Sequence, residues 1–420
     1  MPGAVLAAAL LAGAARAESL QFTVNFAQDL PDANPGDGIA DADLDAPGEQ
    51  TSLRAAVMEA NAVPGADSIV VPDGVWKLSL KGVGFAEDGD LDVSDDLTIV
   101  GTAADPETGK AGTIIDARKL KDRVFDLIAG KSLVLRNLTL RNAKTPAVGI
   151  DEQGGALRSA GSLELEKVIL LNCHSAENGG AIAVMLGVST LTLTDVLIAK
   201  SSAVGDGGGV WVQGGQVTAV RTTWQSCKST QGKGGGLAIE KGTQSGGGIG
   251  TLTNVTFSGN SAKLDGGAIV LSDVSVLTIT NATLAGNVCK ATAGLASIPN
   301  MFQVQNTVLM RNTLLDNKGL RNVTPDSFLI SLGGNLDSGT SAILGAGDLS
   351  DTKPFLLKLK NWGGFTPTRA LKSTSPAIDH GTDSSAPTTD QRGVARVDIP
   401  DVGELALVDC GAFEYTAPDY

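Results

Sequence analysis

The chain has 420 residues, 53 of them glycine, yet valine, leucine, isoleucine and alanine are abundant. That mixture excludes a disordered polymer and suits a packed repeat protein. Lysine and arginine number 32 against 46 acids, a net charge of −14 with no basic run, which argues against nucleic acid or an anionic membrane as partner.

Residues 1–17 read as a secretory signal, with Val5–Leu11 apolar and Ala15-Arg16-Ala17 as the cleavage signature. The expectation is export to a secreted or cell-surface location, with a mature chain starting near Glu18. No other apolar run is long enough for a transmembrane segment. Residues 18–67 form an acidic loop and a helical cap. The helix is expected over 51–62, with Thr51 as N-cap and Leu53, Ala56, Val57 and Ala60 on one face.

Short apolar or alternating runs begin at residue 68 and mark strands: 68–71, 76–80, 97–100, 113–116, 124–128 and 133–140. A phrase of two glycines, a small residue and an aliphatic then recurs at 154, 179, 207, 234 and 266, with spacings of 25, 28, 27 and 32 residues. A second phrase interleaves with it: Leu170-x-x-Cys173, Ile198-x-x-Ser201, Trp224-x-x-Cys227, Phe257-x-x-Asn260 and Leu284-x-x-Asn287. Alternating stretches such as T-L-T-L-T precede each copy, and no helical pattern intervenes. A unit built only of strands and turns is one coil of a solenoid.

The expected fold is all-β: a single-stranded right-handed parallel β-helix with an N-terminal helical cap and an irregular C-terminal cap. Its coils span 68–320, and 321–420 hold the last coils and the cap. Stacking places Leu157, Ile182, Val210, Leu237 and Ile269 in one inward column. Arg158, Ala183, Trp211, Ala238 and Val270 then point outward. Trp224 falls inward. Cys173 and Cys227 share a column with Ser201 between them, about 9–10 Å apart at two coil spacings, beyond disulfide reach. The four cysteines therefore read as buried thiols.

The stretch T-S-L-R-A-A-V-M-E-A-N at 51–61, with Pro64-Gly65-Ala66-Asp67 and S-I-V-V-P, resembles the opening segment of exported β-helix proteins with a C-S-L-R-E-A signature. Thr51 and Ala55 stand where that signature has Cys and Glu. The stretches G-G-F-T-P-T at 363–368, S-P-A-I-D at 375–379, T-D-Q-R-G at 389–393 and D-C-G-A-F-E at 409–414 resemble the choice-of-anchor Q tail, with Arg369 where His is usual. The glycine phrases also resemble repeats of polymorphic outer-membrane proteins. These resemblances imply export and architecture and leave the activity open.

No catalytic set emerges. Asp195 and Arg221 fall on adjacent coils and read as a surface ion pair. The leading functional reading is a non-catalytic extracellular or cell-surface protein, adhesive or glycan-binding, with polysaccharide or cell-surface components as partners. The alternatives are a polysaccharide lyase or glycoside hydrolase on acidic glycans, and a module of a larger surface-anchored assembly. Trp211 with Arg158 is the candidate ligand contact, because sugars stack on rings, against the reading of a ring packed under a loop. Asp32, Asn34, Asp37, Asp41 and Asp43 offer oxygens for calcium on a flexible loop, against the reading of a solvated acidic loop.

Overall fold

The computed structural model describes residues 19–104, 112–146, 152–185, 189–242, 247–272, 275–289, 307–311, 313–317, 322–323, 328–339, 345, 347–383, 385–396 and 408–416. The segment at 1–17 expected to be a secretory signal lies outside the described residues. The chain is a right-handed parallel β-helix with a single helix, Leu53–Ala62. Each regular coil visits four sheets in turn. The first has eleven strands, the second ten, the third five and the fourth seven. In one coil these strands are Ser162–Glu166, Ile169–Leu171, His174–Ser175 and Ile182–Val184. Every strand pairs in parallel with its equivalent one coil away.

Corners are set by backbone chirality. Between the first and second sheets, one residue per coil adopts positive φ: Asn137, Lys167, Asp195, Arg221, Asn254 and Asn281, at 49–58°. Asparagine and aspartate tolerate this region best; lysine and arginine are held there by the coils on either side. This corner splits the run expected at 133–140 into Ser132–Arg136 and Leu138–Arg141. The first glycine of each repeated phrase turns the corner into the fourth sheet, with φ of 63–72°. The second is required by crowding: a Cβ on Gly180 would lie 2.0 Å from the Gly208 carbonyl oxygen of the next coil.

The third position of the phrase varies with what lies inside the coil. It is alanine at 156, 181 and 268 but glycine at 209 and 236. Trp224 and Phe257 stack in the core at those two levels, ring centroids 4.3 Å apart and planes 4° apart. A Cβ on Gly209 would meet Trp224 at 2.9 Å, and one on Gly236 would meet Phe257 at 2.7 Å. The two bulky rings occupy the space of the missing methyls.

A polar column runs beside the aromatic stack. Asn287 Oδ1 accepts from the backbone N–H and side-chain amide of Asn260, both at 2.9 Å, and Asn317 Oδ1 does the same for Asn287 at 3.1 and 2.7 Å. Further along, Ser201 and Cys227 occupy the same column. All four cysteines are buried and unbridged. Burial pushes the Cys173 and Cys227 thiols up to about 12.

The helix covers the N-terminal end of the coils. Its N-cap is Ser52, whose hydroxyl accepts from the Ala55 N–H at 2.9 Å, so Thr51 is one residue short of the expected role. The C-terminal segment does more than close the far end: it runs back along the outer face of the second sheet. Thr366 Oγ1 donates to the Arg221 carbonyl, Thr223 Oγ1 donates to the Pro367 carbonyl, and the Ala412 N–H reaches Thr283. Gln391 is buried between these threonines. Its amide donates to Thr223 and Thr366, and its oxygen accepts from Thr256. Buried pairs Arg392–Asp390 and Arg396–Glu414 fix the segment, at 2.7 and 2.6 Å. Asp409 accepts from the N–H groups of Asp379 and Tyr415.

The ring-for-methyl exchange has a measurable consequence. Gly236→Ala should lower stability by about 1–3 kcal/mol through overpacking, although alanine is native at this position in neighbouring coils. Ala181→Gly should cost only about 0.5–1 kcal/mol, the usual loss of a methyl and of backbone order. Thermal unfolding of both variants decides it; a neutral Gly236→Ala removes the explanation.

Candidate functional site

The outer face of the fourth sheet carries one side chain per coil. Strands Leu91–Val93, Phe125–Leu127 and Leu157–Ser159 bury their first and third residues and turn the middle one outward. Pairing places Asp92 beside Asp126, Asp126 beside Arg158, Arg158 beside Ala183, then Trp211, Ala238 and Val270. The expected outward column is therefore real, and it extends two coils further toward the N-terminus. There it becomes a charged patch.

Arg158 donates to both oxygens of Asp126, with Nε at 2.9 and 3.0 Å. Arg123 reaches the same carboxylate from the other side at 3.3 Å, and lies 3.6 Å from Asp90. Its own N–H donates to Asp122 at 2.8 Å. Four carboxyl groups thus share two guanidiniums. Burial, reinforced by repulsion from Asp90 and Asp126, pushes Asp92 up to about 7 against the pull of Arg123 and Arg158. Burial likewise pushes Asp90 up to about 6 and raises Asp122. Among the described residues the Asp92 carboxyl makes no hydrogen bond, so it is the open acid of the patch.

Asp92 is held from below. Asn61, on the cap helix, donates to the Asp92 carbonyl at 2.7 Å and accepts from the Ser94 N–H at 2.8 Å. Arg54, fully buried, pairs with Asp29 at 2.7 Å and donates to the carbonyls of Ala86 and Gly89. It thereby fixes the loop 81–89 that leads into Asp90. That loop exposes Phe85 at 63 %.

Of the two readings of Trp211, the structure has the packed ring rather than the ligand contact. Its side chain does point outward, but it is only 3 % exposed, packed with Ala183, Ala238, Val270 and Met185. A covered ring has no face for a sugar; the small residues on adjacent coils leave room for the indole to lie flat on the sheet. Phe85, on the loop that leads into Asp90, is an exposed ring. Beside Trp211, burial and contact with Asp206 push Glu240 up to about 7.

The acidic loop is spread over separate turns. Asp32 accepts from the Asn34 N–H, Asn34 donates to Asp37, and Asp37 accepts from the Ile39 N–H. Asp41 accepts from Asp43 and Gln50, and Asp43 from Asp45. Among the described residues no three such side chains converge as a metal group, so the calcium grouping expected from spacing is not assembled. The acid that organises this loop is Glu59 of the helix, which accepts from the N–H groups of Gly36 and Gly38. Its proximity, after burial, is what pushes Asp32 up to about 6.

Asp195 and Arg221 form the expected pair, at 2.7 Å. No family model matches the chain, and no curated protein matches its sequence.

A carboxyl whose pKa rises on folding binds its proton more tightly folded than unfolded. Its contribution to stability is therefore lost as pH rises from 3.8 to about 7. Asp92→Asn should match the parent at pH 4 and exceed it in melting temperature at pH 8. An unchanged difference across that range would mean that the Asp92 carboxyl is fully hydrated in the folded state.

Proposed function

We propose that the chain is an exported, surface-located β-helix that binds glycans through the charged patch of the fourth sheet. The observation that carries this reading is the Asp92–Asp126–Arg158 column with Arg123, Asp90 and Asp122. Paired side chains there are already ordered by the coils, so little side-chain entropy remains to be lost on binding. Carboxylates outnumber guanidiniums four to two, which favours neutral or amino sugars, whose hydroxyl and ammonium groups donate, over uronates. Phe85, exposed on the loop that leads into Asp90, offers a stacking ring. Export is supported by residues 1–17 and by the resemblances at both ends of the chain.

One observation favours a second reading, glycoside hydrolysis. Asp92 titrates near neutrality next to the arginine-paired Asp126, and two carboxyl groups with separated environments are what acid–base cleavage of a glycosidic bond requires. In that reading Asp92 donates the proton to the leaving oxygen. The sequence offers a glycoside hydrolase as an alternative but not these residues, because the relevant coils lie upstream of the glycine phrases.

The test is retention on an array of neutral, amino and acidic polysaccharides with simultaneous assay of new reducing ends. Retention of neutral or amino glycans without cleavage is expected. Arg158→Ala, which releases Asp126, and Phe85→Ala should each weaken retention by about tenfold, the loss of one well-placed contact worth ~1.4 kcal/mol. New reducing ends abolished by Asp92→Asn would establish the hydrolase instead. Retention unchanged in both contact variants would remove the patch from consideration.

A further inference from the structure

The outer face of the first sheet carries a second organised surface, independent of the charged patch. Strands Thr190–Thr194, Gln216–Val220, Ile249–Thr253 and Val276–Thr280 lie side by side without a bulge. Their inward residues are buried. The middle outward column is threonine throughout: Thr192, Thr218, Thr251 and Thr278. The next reads Thr194, Val220, Thr253 and Thr280, so three of these strands carry a Thr-x-Thr pair and the fourth replaces one hydroxyl by a methyl. Among the described residues none of these seven hydroxyls makes a hydrogen bond. In both columns the threonines are exposed or half-buried.

Four properties of this face restrict what it fits. Its two threonine columns carry no charge over four coils although the chain carries −14; the corner beside them holds the mutually neutralised Asp195–Arg221 pair, and along the columns charge appears at Glu164 and Glu166 on one side and Arg311 on the other. It is periodic in two directions, about 4.8 Å between coils and about 6.6 Å between alternate residues of a strand. Each hydroxyl both donates and accepts. β-Branching restricts χ1, so hydroxyl and methyl repeat with one orientation along a column.

A glycan surface would want rings, and none projects here. An ionic partner would want charge. A neutral lattice of oxygens, each donor and acceptor, repeated at two comparable spacings, is the surface of crystalline water. Both spacings lie near the repeats of a prism face of hexagonal ice. We propose that this threonine face binds ice, with methyl groups seated between lattice waters and hydroxyls replacing them.

Thermal hysteresis and inhibition of ice recrystallisation are measured on the mature full chain. The parent should hold a freezing gap and keep ice grains small. The double variant Thr218→Lys/Thr251→Lys, exposed on the strands, should lose most of both effects while its melting temperature stays close to the parent's. Lys228→Ala, on the third sheet, should behave as the parent. Absence of any effect on ice by the parent overturns the proposal, as does full activity in the double variant. Neutral insoluble polysaccharide retained by the parent, lost in the double variant and unaccompanied by any effect on ice, would assign the face to a glycan and also overturn it. Failure of glycan retention through Arg158 and Phe85 leaves this result untouched, because the two faces share no residue.

Discussion

The structure depends on one constraint: each coil must lie within a single backbone hydrogen bond of the next at every corner. A parallel ladder tolerates no excess bulk between its strands. Where the chain turns sharply, the backbone must adopt positive φ or surrender a Cβ. Asn254 and Asn281 meet the first demand, and Gly180 and Gly208 the second. Once corners are fixed, side chains fall into columns, and a residue's neighbours are its equivalents one coil away. Trp224 and Phe257 then stack because the columns align them, and the glycines at 209 and 236 follow from that stacking.

The same alignment makes charge expensive. Asp92, Asp126 and Arg158 are far apart in sequence yet adjacent in register. Their spacing is set by the backbone, so repulsion cannot be relieved by separation; it is relieved by arginines and by protons. Burial first, and then this repulsion, holds Asp90 and Asp92 above their ordinary range, while Asp126 is paired with Arg123 and Arg158. The cap contributes to the same site. Arg54, Glu59 and Asn61 sit on one short helix and each ties a different loop, so the opening motif orders the first coils rather than merely shielding their end.

Much of the fold was legible because periodicity survives in any coil that obeys the corner rule. The inward column from Leu157 to Ile269, the unbridged cysteines and the Asp195–Arg221 pair all followed from alignment of the repeated phrases. The charged patch did not, for a specific reason. Its strands L-D-V and F-D-L lack the double glycine, so the repeated phrase does not extend to them. Extending the L-R-S alternation backward would have aligned Asp92 and Asp126 with Arg158. Trp211 shows the opposite failure. Its outward direction was readable from alternation, but its burial depends on Ala183, Ala238, Val270 and Met185 lying over and beside it, a packing fact that no single strand encodes. In the acidic loop, where spacing leaves calcium and a solvated loop as alternatives, the aspartates satisfy their own backbone as turns, which competes with coordinating an ion.

The four faces of the solenoid are not equivalent, and the C-terminal segment decides which are available. By packing Gln391 and its threonine partners against the second sheet, it uses polar outward positions that would otherwise resemble those of the first. Thr223, Thr256 and Thr283 are thus threonines with assigned hydrogen-bond partners inside the molecule. Thr218, Thr251 and Thr278, on the adjoining face, have the same chemistry and the same register but no such partner among the described residues. β-Propensity alone accounts for threonine on both faces. It does not account for one face being covered by a dedicated segment while the other keeps its threonines exposed or half-buried. That contrast separates the second sheet, whose outward hydroxyls are satisfied within the molecule, from the first, which presents columns of hydroxyls, and the fourth, which presents a cluster of charge.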